Sequence, residues 1–257
     1  MSRISILLAV ATVLGGCAAS SVESTTSTTV APPTTTTSTI TPPPPTYYEG
    51  IAASPLPEDV SVVAMSKGDL AIYSEPDAEE PSSSLPAATI LGTVTVVTVI
   101  EGPIDGWAKV MLPVRPNGSE GWVKTSDVQL FLVEGRVVVD LSDKSLTYYV
   151  RGEEVLNSVV AVGTSRNPTP TGQFFVTDSV TLANPDSAWG PHALGLSGRS
   201  DTITEYNGGD GIIGIHGTNR PDSIGNAASL GCVRLPNEII TQLHGLISIG
   251  VPVEIQA

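Results

Sequence analysis

The chain of 257 residues contains 26 acidic and 12 basic side chains, which gives a formal net charge of −14. This balance argues against a surface that binds nucleic acid and against electrostatic docking on anionic lipid. It does not identify a substrate, since the usual consequence of such a charge is solubility. Chemistry is therefore sought in local motifs, above all around the two cysteines, Cys17 and Cys232.

The N-terminus has the pattern of a secretory signal. A positive start is followed by an apolar run over residues 4–14, two glycines and Cys17. The run is too short to span a bilayer, which needs about 20 residues. A cysteine in this position resembles the bacterial lipobox. The resemblance implies a signal peptide over residues 1–16 and a diacylglycerol on Cys17; an ordinary signal peptide with an incidental cysteine is the alternative.

Residues 17–57 are expected to form the lipidated cysteine and a disordered tether. Segment 21–46 contains eleven Thr, four Ser and six Pro among its 26 residues, and almost nothing apolar to bury. An extended segment of this kind reaches up to roughly 80 Å. We expect an exported protein, anchored by lipid at the outer face of the bacterial cytoplasmic membrane and reaching into the cell wall.

Residues 58–131 carry short β-type runs separated by turn residues, the pattern of a small barrel. The runs cover residues 62–64, 70–73, 93–100, 107–112 and 121–123. Asn117-Gly118 predicts a tight hairpin turn, since this pair supplies positive φ angles. Asp105-Gly106-Trp107 and Gly121-Trp122-Val123 resemble the bacterial SH3-like domains attached to cell-wall enzymes. The two tryptophans are interpreted as core or turn residues rather than ligand-binding ones.

A second all-β unit is predicted over residues 134–256. Strands are expected over residues 136–140, 145–150, 154–162, 173–178 and 211–215. Only residues 237–249 carry a helical pattern, with apolar residues along one face. The fold class is therefore all-β: a small SH3-like barrel, then a second β unit with one C-terminal helix.

A cysteine without a partner, near a histidine in an exported protein, is a candidate nucleophile. If Cys17 carries lipid, Cys232 has no partner in the chain. The thiolate is the attacking species, and a neighbouring histidine can remove the proton. Of His192, His216 and His244, only His216 ends a predicted strand beside a glycine and lies shortly before the cysteine. Gly231 permits a sharp turn that directs backbone N–H groups towards one point, as an oxyanion hole requires.

Three blocks of residues carry a family resemblance. Two segments, His216-Gly217-Thr218 and Ser229-x-Gly231-Cys232-Val233-Arg234, are similar to the YkuD-type L,D-transpeptidase signature, with Cys232 sixteen residues after His216. Residues 163–174, with Pro-Thr-Pro-Thr-Gly, resemble the family's first block, and residues 189–196 its middle block. The resemblance covers residues 134–256 and is specific because the three blocks occur together in the family's order.

The resemblance implies a β-sandwich-like catalytic domain that acts on peptidoglycan stem peptides without a cofactor. Cys232 would attack the diaminopimelate carbonyl of a donor stem and release D-alanine. An acceptor amine would resolve the thioester and link two diaminopimelate residues. His216 would be the base and then the acid, oriented by the Gly217 carbonyl. Carbapenem-type β-lactams would acylate Cys232.

The remaining predicted site residues surround the cysteine. The backbone N–H groups of Leu230, Gly231 and Cys232 are expected to form the oxyanion hole. Arg234 is expected to fix the loop or to meet a substrate carboxylate, and Ser229 to cap the loop or to contact substrate. Leu230 departs from the family, in which a histidine is common at this position. A backbone role for this residue would tolerate leucine.

Several alternatives stay open. Zinc would find Cys232 and His216 but no paired cluster, with His192 as a third ligand on paper. NlpC/P60-type endopeptidases have the opposite order of cysteine and histidine, and sortases space them much farther apart. A wall-binding protein with a decayed site and an L,D-carboxypeptidase that uses the same Cys–His pair are the other functions considered.

Overall fold

The computed structural model describes residues 46–47, 56–206 and 209–257. The predicted signal peptide, Cys17 and almost all of the predicted tether lie outside these residues. The described part is mostly β, with one α-helix. None of the helices described is long and apolar enough to cross a membrane. The two large sheets belong to one compact unit of the chain.

The N-terminal sheet has six strands in the order β1-β8-β2-β5-β6-β7. With the separate pair β3 and β4, its strands are β1 (Thr46–Tyr47), β2 (Val60–Ser66), β3 (Leu70–Ile72), β4 (Ser83–Leu85), β5 (Val96–Ile104), β6 (Trp107–Met111), β7 (Glu120–Lys124) and β8 (Val128–Glu134). All pairings are antiparallel, and Trp107 is buried against Tyr73 with ring centroids 5.0 Å apart. The SH3-like assignment of this region stays a prediction.

The turn predicted at Asn117-Gly118 lies between β6 and β7, but it is not tight. Residues 112–119 separate the two strands, and of the pair only Gly118 has a positive φ. A two-residue turn of the expected type requires positive φ at both central residues. The Asn117 side chain is instead bonded to the backbone of Arg199 through both its oxygen and its nitrogen. The prediction of a tight turn was wrong because this loop contacts another part of the protein.

The C-terminal sheet has eight strands in the order β11-β10-β9-β18-β13-β14-β15-β17. The elements after β8 are β9 (Arg136–Asp140), β10 (Ser145–Val150), β11 (Glu153–Val159), β12 (Val162–Gly163), β13 (Gly172–Thr181), β14 (His192–Arg199), β15 (Ile212–His216), β16 (Ala227–Ser229), β17 (Val233–Arg234), α1 (Asn237–Leu246) and β18 (Pro252–Gln256). Strands β12 and β16 form a small parallel pair of their own. Two pairings in the large sheet are parallel, β9 with β18 and β15 with β17.

Two predicted elements in this region have wrong bounds, and one strand was missed. The strand predicted over residues 154–162 is divided into β11 and β12. The pairing with β10 ends after β11, and Ala161 pairs with Arg234 instead. Helix α1 ends at Leu246, and the Ile247 backbone is extended although its side chain stays buried. Strand β14 was not predicted at all. Its glycines, Gly195 and Gly198, weaken the alternating pattern from which strands are recognised.

One continuous apolar core joins the two sheets. Val63 on β2 lies so close to Gly250 that a Cβ there would approach the valine Cγ2 to 2.6 Å. Asp59 also joins the two regions. Its carboxylate is almost fully buried, 2.9 Å from Arg136 Nε, and accepts a bond from the Gly152 N–H. A buried carboxylate needs such partners to offset its lost hydration.

Candidate functional site

Parallel pairing of β15 and β17 brings the predicted site residues together. His216 is the register partner of Arg234, and Ile215 that of Val233. Partners in adjacent strands project from the same face of a sheet, and Cys232 lies two residues before Arg234. The sheet therefore places His216, Arg234 and Cys232 around one point, and all three line the same cavity.

The His216 ring is held on two sides. Its Nδ1 lies 2.6 Å from the Gly217 carbonyl oxygen, so Nδ1 donates and carries the hydrogen. In the neutral ring this leaves Nε2 as the free acceptor. The Trp189 indole stacks on the imidazole, with ring centroids 4.7 Å apart and planes at 27°. The stack and the hydrogen bond fix both the tautomer and the orientation of a side chain that is buried.

The loop before Cys232 is shaped by Gly231 and Ser229. Gly231 has a φ of 121°, in a region that residues with a Cβ rarely adopt. The Ser229 hydroxyl donates to the Cys232 carbonyl at 2.5 Å and accepts from the Gly231 N–H at 3.1 Å. Ser229 is thus a cap of the loop, which was one of its two predicted roles.

One member of the predicted oxyanion hole is occupied. The Gly231 N–H points to the Ser229 hydroxyl and is not available to an incoming oxyanion. Among the described residues, no acceptor faces the N–H of Leu230 or of Cys232. Inclusion of Gly231 was therefore wrong in this arrangement, since the serine cap takes its only backbone donor. Two donors remain of the three predicted.

Residues of the first sequence block, 163–174, contact the loop that leads to Cys232. The Thr164 N–H donates to the Ser229 carbonyl at 3.2 Å, and the Thr169 hydroxyl accepts from the Gly163 N–H at 2.8 Å. A Cβ on Gly163 would lie 2.3 Å from the Asn167 carbonyl oxygen. The Pro-Thr-Pro-Thr-Gly segment therefore folds closely back on β12, and β12 in turn pairs with β16 beside the loop.

The middle block approaches the chain directly after His216. A Cβ on Gly190 would lie 2.7 Å from Gly217 Cα, so both positions need glycine for the backbones to meet. Asn237, the first residue of α1, accepts from the Thr218 N–H at 2.7 Å. The carbonyl that orients His216 is therefore itself held by residues far away in sequence.

The site opens into a cavity of about 90 Å³. Its walls are Ala188, Trp189, Ser200, Ile203, Tyr206, Gly211, Ile212, Ile213, His216, Ser229, Leu230, Cys232 and Arg234. Leu230 lies at the cavity with 51% of its surface exposed. Its side chain is thus accessible to a ligand that enters.

Burial keeps the candidate base and nucleophile neutral. Desolvation lowers the pKa of His216 to about 4; the bond to the Gly217 carbonyl acts in the opposite direction, and the Arg234 charge lowers the pKa further. Desolvation raises the pKa of the Cys232 thiol, while a backbone hydrogen bond with Gly214 and the Arg234 charge lower it. At neutral pH the pair is thiol and imidazole, not thiolate and imidazolium.

Arg234 supplies positive charge to this cavity without an ion-pair partner among the described residues. Its Nε is buried, and no hydrogen-bond acceptor among the described residues reaches it. Buried polar atoms are normally paired, so an unsatisfied donor beside a cavity is a position where a ligand can bind. The guanidinium is suited to a carboxylate or to an oxyanion that develops during a reaction.

The other two histidines lie outside the cavity. His192 and His244 stack on each other, with ring centroids 4.1 Å apart, and Thr181 contacts His192 at 3.3 Å. His192 is therefore not a neighbour of Cys232 in the cavity wall. Among the residues that the structure describes, no group of three or more His, Cys, Asp or Glu could hold a metal ion.

Comparison with known proteins assigns this region. Residues 134–255 match the family model described as YkuD, L,D-transpeptidase catalytic domain. A putative L,D-transpeptidase YkuD of Bacillus subtilis is 30% identical over 125 residues, which cover 49% of this chain and 68% of that protein. The chain belongs to the YkuD family of L,D-transpeptidases. The prediction of the family from its three sequence blocks is confirmed.

The chain is also similar to a second curated protein and to one solved structure. The Bacillus licheniformis protein, also a putative L,D-transpeptidase YkuD, is 33% identical over 120 residues. The match spans 47% of this chain and 64% of that relative. The solved catalytic domain of the Enterococcus faecium L,D-transpeptidase is 25% identical, with 48% of this chain and 96% of that chain covered and a TM-score of 0.37.

The sequence did not reveal two residues of this site, Trp189 and Asn237, that hold other residues in position. Trp189 belongs to the middle block, but nothing in the block indicates that its ring stacks on His216. Asn237 was recognised only as the start of a helix. Its position directly after Pro236 was the one available signal, because an Asn at a helix start often bonds a backbone N–H. Here the N–H belongs to Thr218 rather than to its own helix.

Gly231→Ala is expected to lower the free energy of unfolding by about 1–3 kcal/mol, because alanine is strained at this φ. Urea denaturation measures the change. Gly245→Ala is the matched control: Gly245 lies in α1 with open space where a Cβ would be placed, so no loss of stability is expected there. Equal stability of Gly231→Ala and the unmodified protein would contradict the loop geometry.

The His216 ring is expected to titrate near pH 4, well below the ordinary 6.5, because the cavity desolvates the imidazolium. The measurement is an NMR pH titration of the ring C–H signals, with His216→Gln to assign them. Unfolded chain binds this proton at higher pH than folded chain. The contribution to stability is therefore complete above pH 6.5 and is lost as pH falls towards 4. A midpoint at or above 6.5 would refute the buried, neutral base.

Proposed function

We propose that this protein is a cysteine-dependent L,D-transpeptidase that cross-links peptidoglycan stem peptides. The observation that carries the proposal is the cavity shared by Cys232, His216 and Arg234 within a YkuD-family domain. The donor is a tetrapeptide stem with diaminopimelate followed by D-alanine. The acceptor is the side-chain amine of diaminopimelate on a second stem. Family membership supports both assignments.

The first half-reaction forms a thioester. The Cys232 sulfur attacks the diaminopimelate carbonyl while the thiol proton passes to His216 Nε2. Because thiol and imidazole are both neutral at rest, proton transfer accompanies attack rather than preceding it. The N–H groups of Leu230 and Cys232 donate to the tetrahedral oxyanion, and removal of one such donor typically costs ~10²–10³ in rate. The C–N bond then breaks, and D-alanine leaves with the proton from His216.

The second half-reaction transfers the acyl group. The acceptor amine attacks the thioester carbonyl and gives a proton to His216 Nε2. Collapse of the intermediate breaks the C–S bond, and His216 returns the proton to sulfur. Water in place of the amine would give the L,D-carboxypeptidase reaction. The exposed position of Leu230 at the cavity suits it to contact the acceptor, so we assign it both a backbone and a surface role.

Arg234 is assigned to charge recognition. The guanidinium has an Nε without a partner among the described residues, and its charge favours the Cys232 thiolate over the thiol. A free carboxylate of the donor stem would satisfy this donor. The same positive charge stabilises the tetrahedral oxyanion, so binding and rate both depend on the residue.

The location of the protein is proposed from the N-terminal sequence alone. Residues 1–16 direct export, Cys17 carries a diacylglycerol, and the Thr/Pro-rich segment extends from the membrane into the wall. The strands over 58–131 would then be an SH3-like module between tether and catalytic domain. In this arrangement the active site meets its substrate outside the cytoplasmic membrane.

Acylation tests the enzyme function. Incubation of the full-length protein with a carbapenem is expected to add the mass of the intact drug to Cys232, because sulfur attacks the β-lactam carbonyl, the ring C–N bond breaks and the drug takes up the thiol proton. Cys232→Ala is expected to take up no drug and to form no dimer from disaccharide-tetrapeptide. Ser229→Cys in the Cys232→Ala background is a control that tests whether a thiol elsewhere in the same loop can replace Cys232. Dimers formed by Cys232→Ala would place the nucleophile elsewhere.

Cys17→Ser is expected to abolish lipid attachment and to release the protein from the membrane fraction, since a two-chain anchor is what retains it. Metabolic labelling with a fatty acid and membrane fractionation measure the two effects. Cys232→Ser is the matched control and should stay labelled and membrane-bound. Unchanged labelling of Cys17→Ser would show that the anchor, if any, is elsewhere in the chain.

A further inference from the structure

A connection between β14 and β15 forms part of the wall of the candidate-site cavity. Its described residues, 200–206 and 209–211, are called the arch here. Ser200, Ile203 and Tyr206 line the same cavity as Cys232. The two ends of the arch are tied by a bond from the Ser200 N–H to the Gly211 carbonyl at 2.9 Å. The position of the arch thus sets the width of the space in front of Cys232.

The arch makes few bonds of its own near the cavity. The Ser200 hydroxyl accepts from the N–H groups of Thr202 and Ile203, and Thr202 donates to the Asn167 side chain at 3.1 Å. These bonds order the first turn. The carbonyl groups of Ser200, Ile203 and Asp210 accept their side-chain bonds from outside the C-terminal sheet.

Arg115, in the β6–β7 loop of the N-terminal sheet, supplies all of these bonds. Nη1 donates to the Ser200 carbonyl at 2.8 Å, and Nη2 donates to the Ile203 and Asp210 carbonyls at 3.2 Å each. Nε lies 2.8 Å from the Asp210 carboxylate. One planar guanidinium therefore joins the first half of the arch to the second, and rigid fork geometry is what suits arginine to this use.

The β6–β7 loop also binds Arg199, the residue directly before the arch. Asn117 donates to the Arg199 carbonyl and accepts from the Arg199 N–H, both at 2.8 Å. Arg199 donates in turn to the Pro113 carbonyl at 2.6 Å and lies 3.2 Å from Asp210. The β6–β7 loop thus contacts the arch at both ends, whereas β14 and β15 alone pair only as far as Arg199 and Ile212.

The backbone is closely packed at Gly211, the last residue of the arch. A Cβ on Gly211 would lie 1.9 Å from the Ile203 carbonyl oxygen and 3.2 Å from Arg115 Nη2. The carbonyl that Arg115 binds is therefore packed directly against the Gly211 backbone. Loss of the guanidinium would leave three carbonyl groups without their donor and would remove a side chain that is hydrogen-bonded to both halves of the arch.

We infer that Arg115 is a positioning residue for the L,D-transpeptidase reaction: the N-terminal sheet, through this side chain, holds the arch at the distance from Cys232 that the donor stem requires. The inference rests on the proposed function, since it assigns a substrate wall to the same site. Arg115 does not touch the reacting atoms. It acts through Ile203 and Ser200, which line the cavity.

The three carbonyl bonds carry more of this effect than the ion pair. The Asp210 side chain is 51% exposed, and exposed ion pairs contribute little. Asp210→Asn should therefore change the reaction less than Arg115→Ala. Arg115→Lys keeps the charge but cannot reach three carbonyl groups at once, so an intermediate effect is expected.

The test compares two reagents of different size at Cys232 in the full-length protein. A carbapenem must fit between the arch and the cysteine loop, whereas iodoacetamide is small and reports thiol reactivity alone. Arg115→Ala is expected to slow carbapenem acylation by about ten- to a hundredfold, as misplacement of substrate by about 1 Å does. Its iodoacetamide rate should stay within about twofold of the unmodified protein.

Arg151→Ala is the matched control, because Arg151 pairs with Glu134 at 2.7 Å, is 68% exposed and is not among the cavity residues. Both of its rates should equal those of the unmodified protein. Equal carbapenem rates for Arg115→Ala and the unmodified protein would overturn the inference and leave the proposed function intact. An equal change in both reactions would overturn it too, since this indicates general loss of structure.

Failure of the proposed function gives a different result. If the unmodified protein reacts with iodoacetamide but takes up no carbapenem and forms no dimers, the transpeptidase assignment is overturned, and the inference with it. If Arg115→Ala is too unstable to purify, Arg115→Lys decides the question by the same ratio of the two rates. A ratio equal to that of the unmodified protein would overturn the inference.

Discussion

The parallel pairing of β15 with β17 is the contact on which the site depends. It joins residues from two ends of a long connection and puts His216 beside Arg234 in register. The pairing also fixes the position of Cys232, because this residue lies between the turn that Gly231 permits and the first residue of β17. The buried Ile215–Val233 pair anchors the register, and a shift of β17 by one residue would turn Arg234 and Cys232 away from the face that His216 occupies.

Burial in this sheet also sets the chemistry. The cavity disfavours charge on both His216 and Cys232, which favours a neutral imidazole and a neutral thiol. The Arg234 charge lowers the pKa of both groups, so it favours the thiolate and opposes the imidazolium. The fixed Nδ1–H bond to Gly217 leaves a single basic nitrogen. One tautomer can therefore serve as base and then as acid.

The N-terminal sheet contacts the elements that form the candidate site. It shares a core with the C-terminal sheet, and Arg115 and Asn117 extend the contact to the arch over the cavity. The loop between β6 and β7 does not form a tight turn, and its residues make these bonds instead. Sequence patterns of short strands predicted most strands of this region but not β8, which pairs with both β1 and β2. They also could not show that this loop reaches Arg199, eighty-two residues away.

The sequence by itself determined most of the strands, the start of the helix, the family and the choice of Cys232, His216 and Arg234 as candidate residues, because periodicity and motif spacing are local properties. Only the tertiary structure decided which donors remain free: Ser229 occupies the Gly231 N–H, a contact set by the turn and not by residue type. The same holds for the Trp189 stack, the Asn237 bond and the Arg115 contacts. Each joins residues whose separation along the chain carries no signal, so packing alone brings them together.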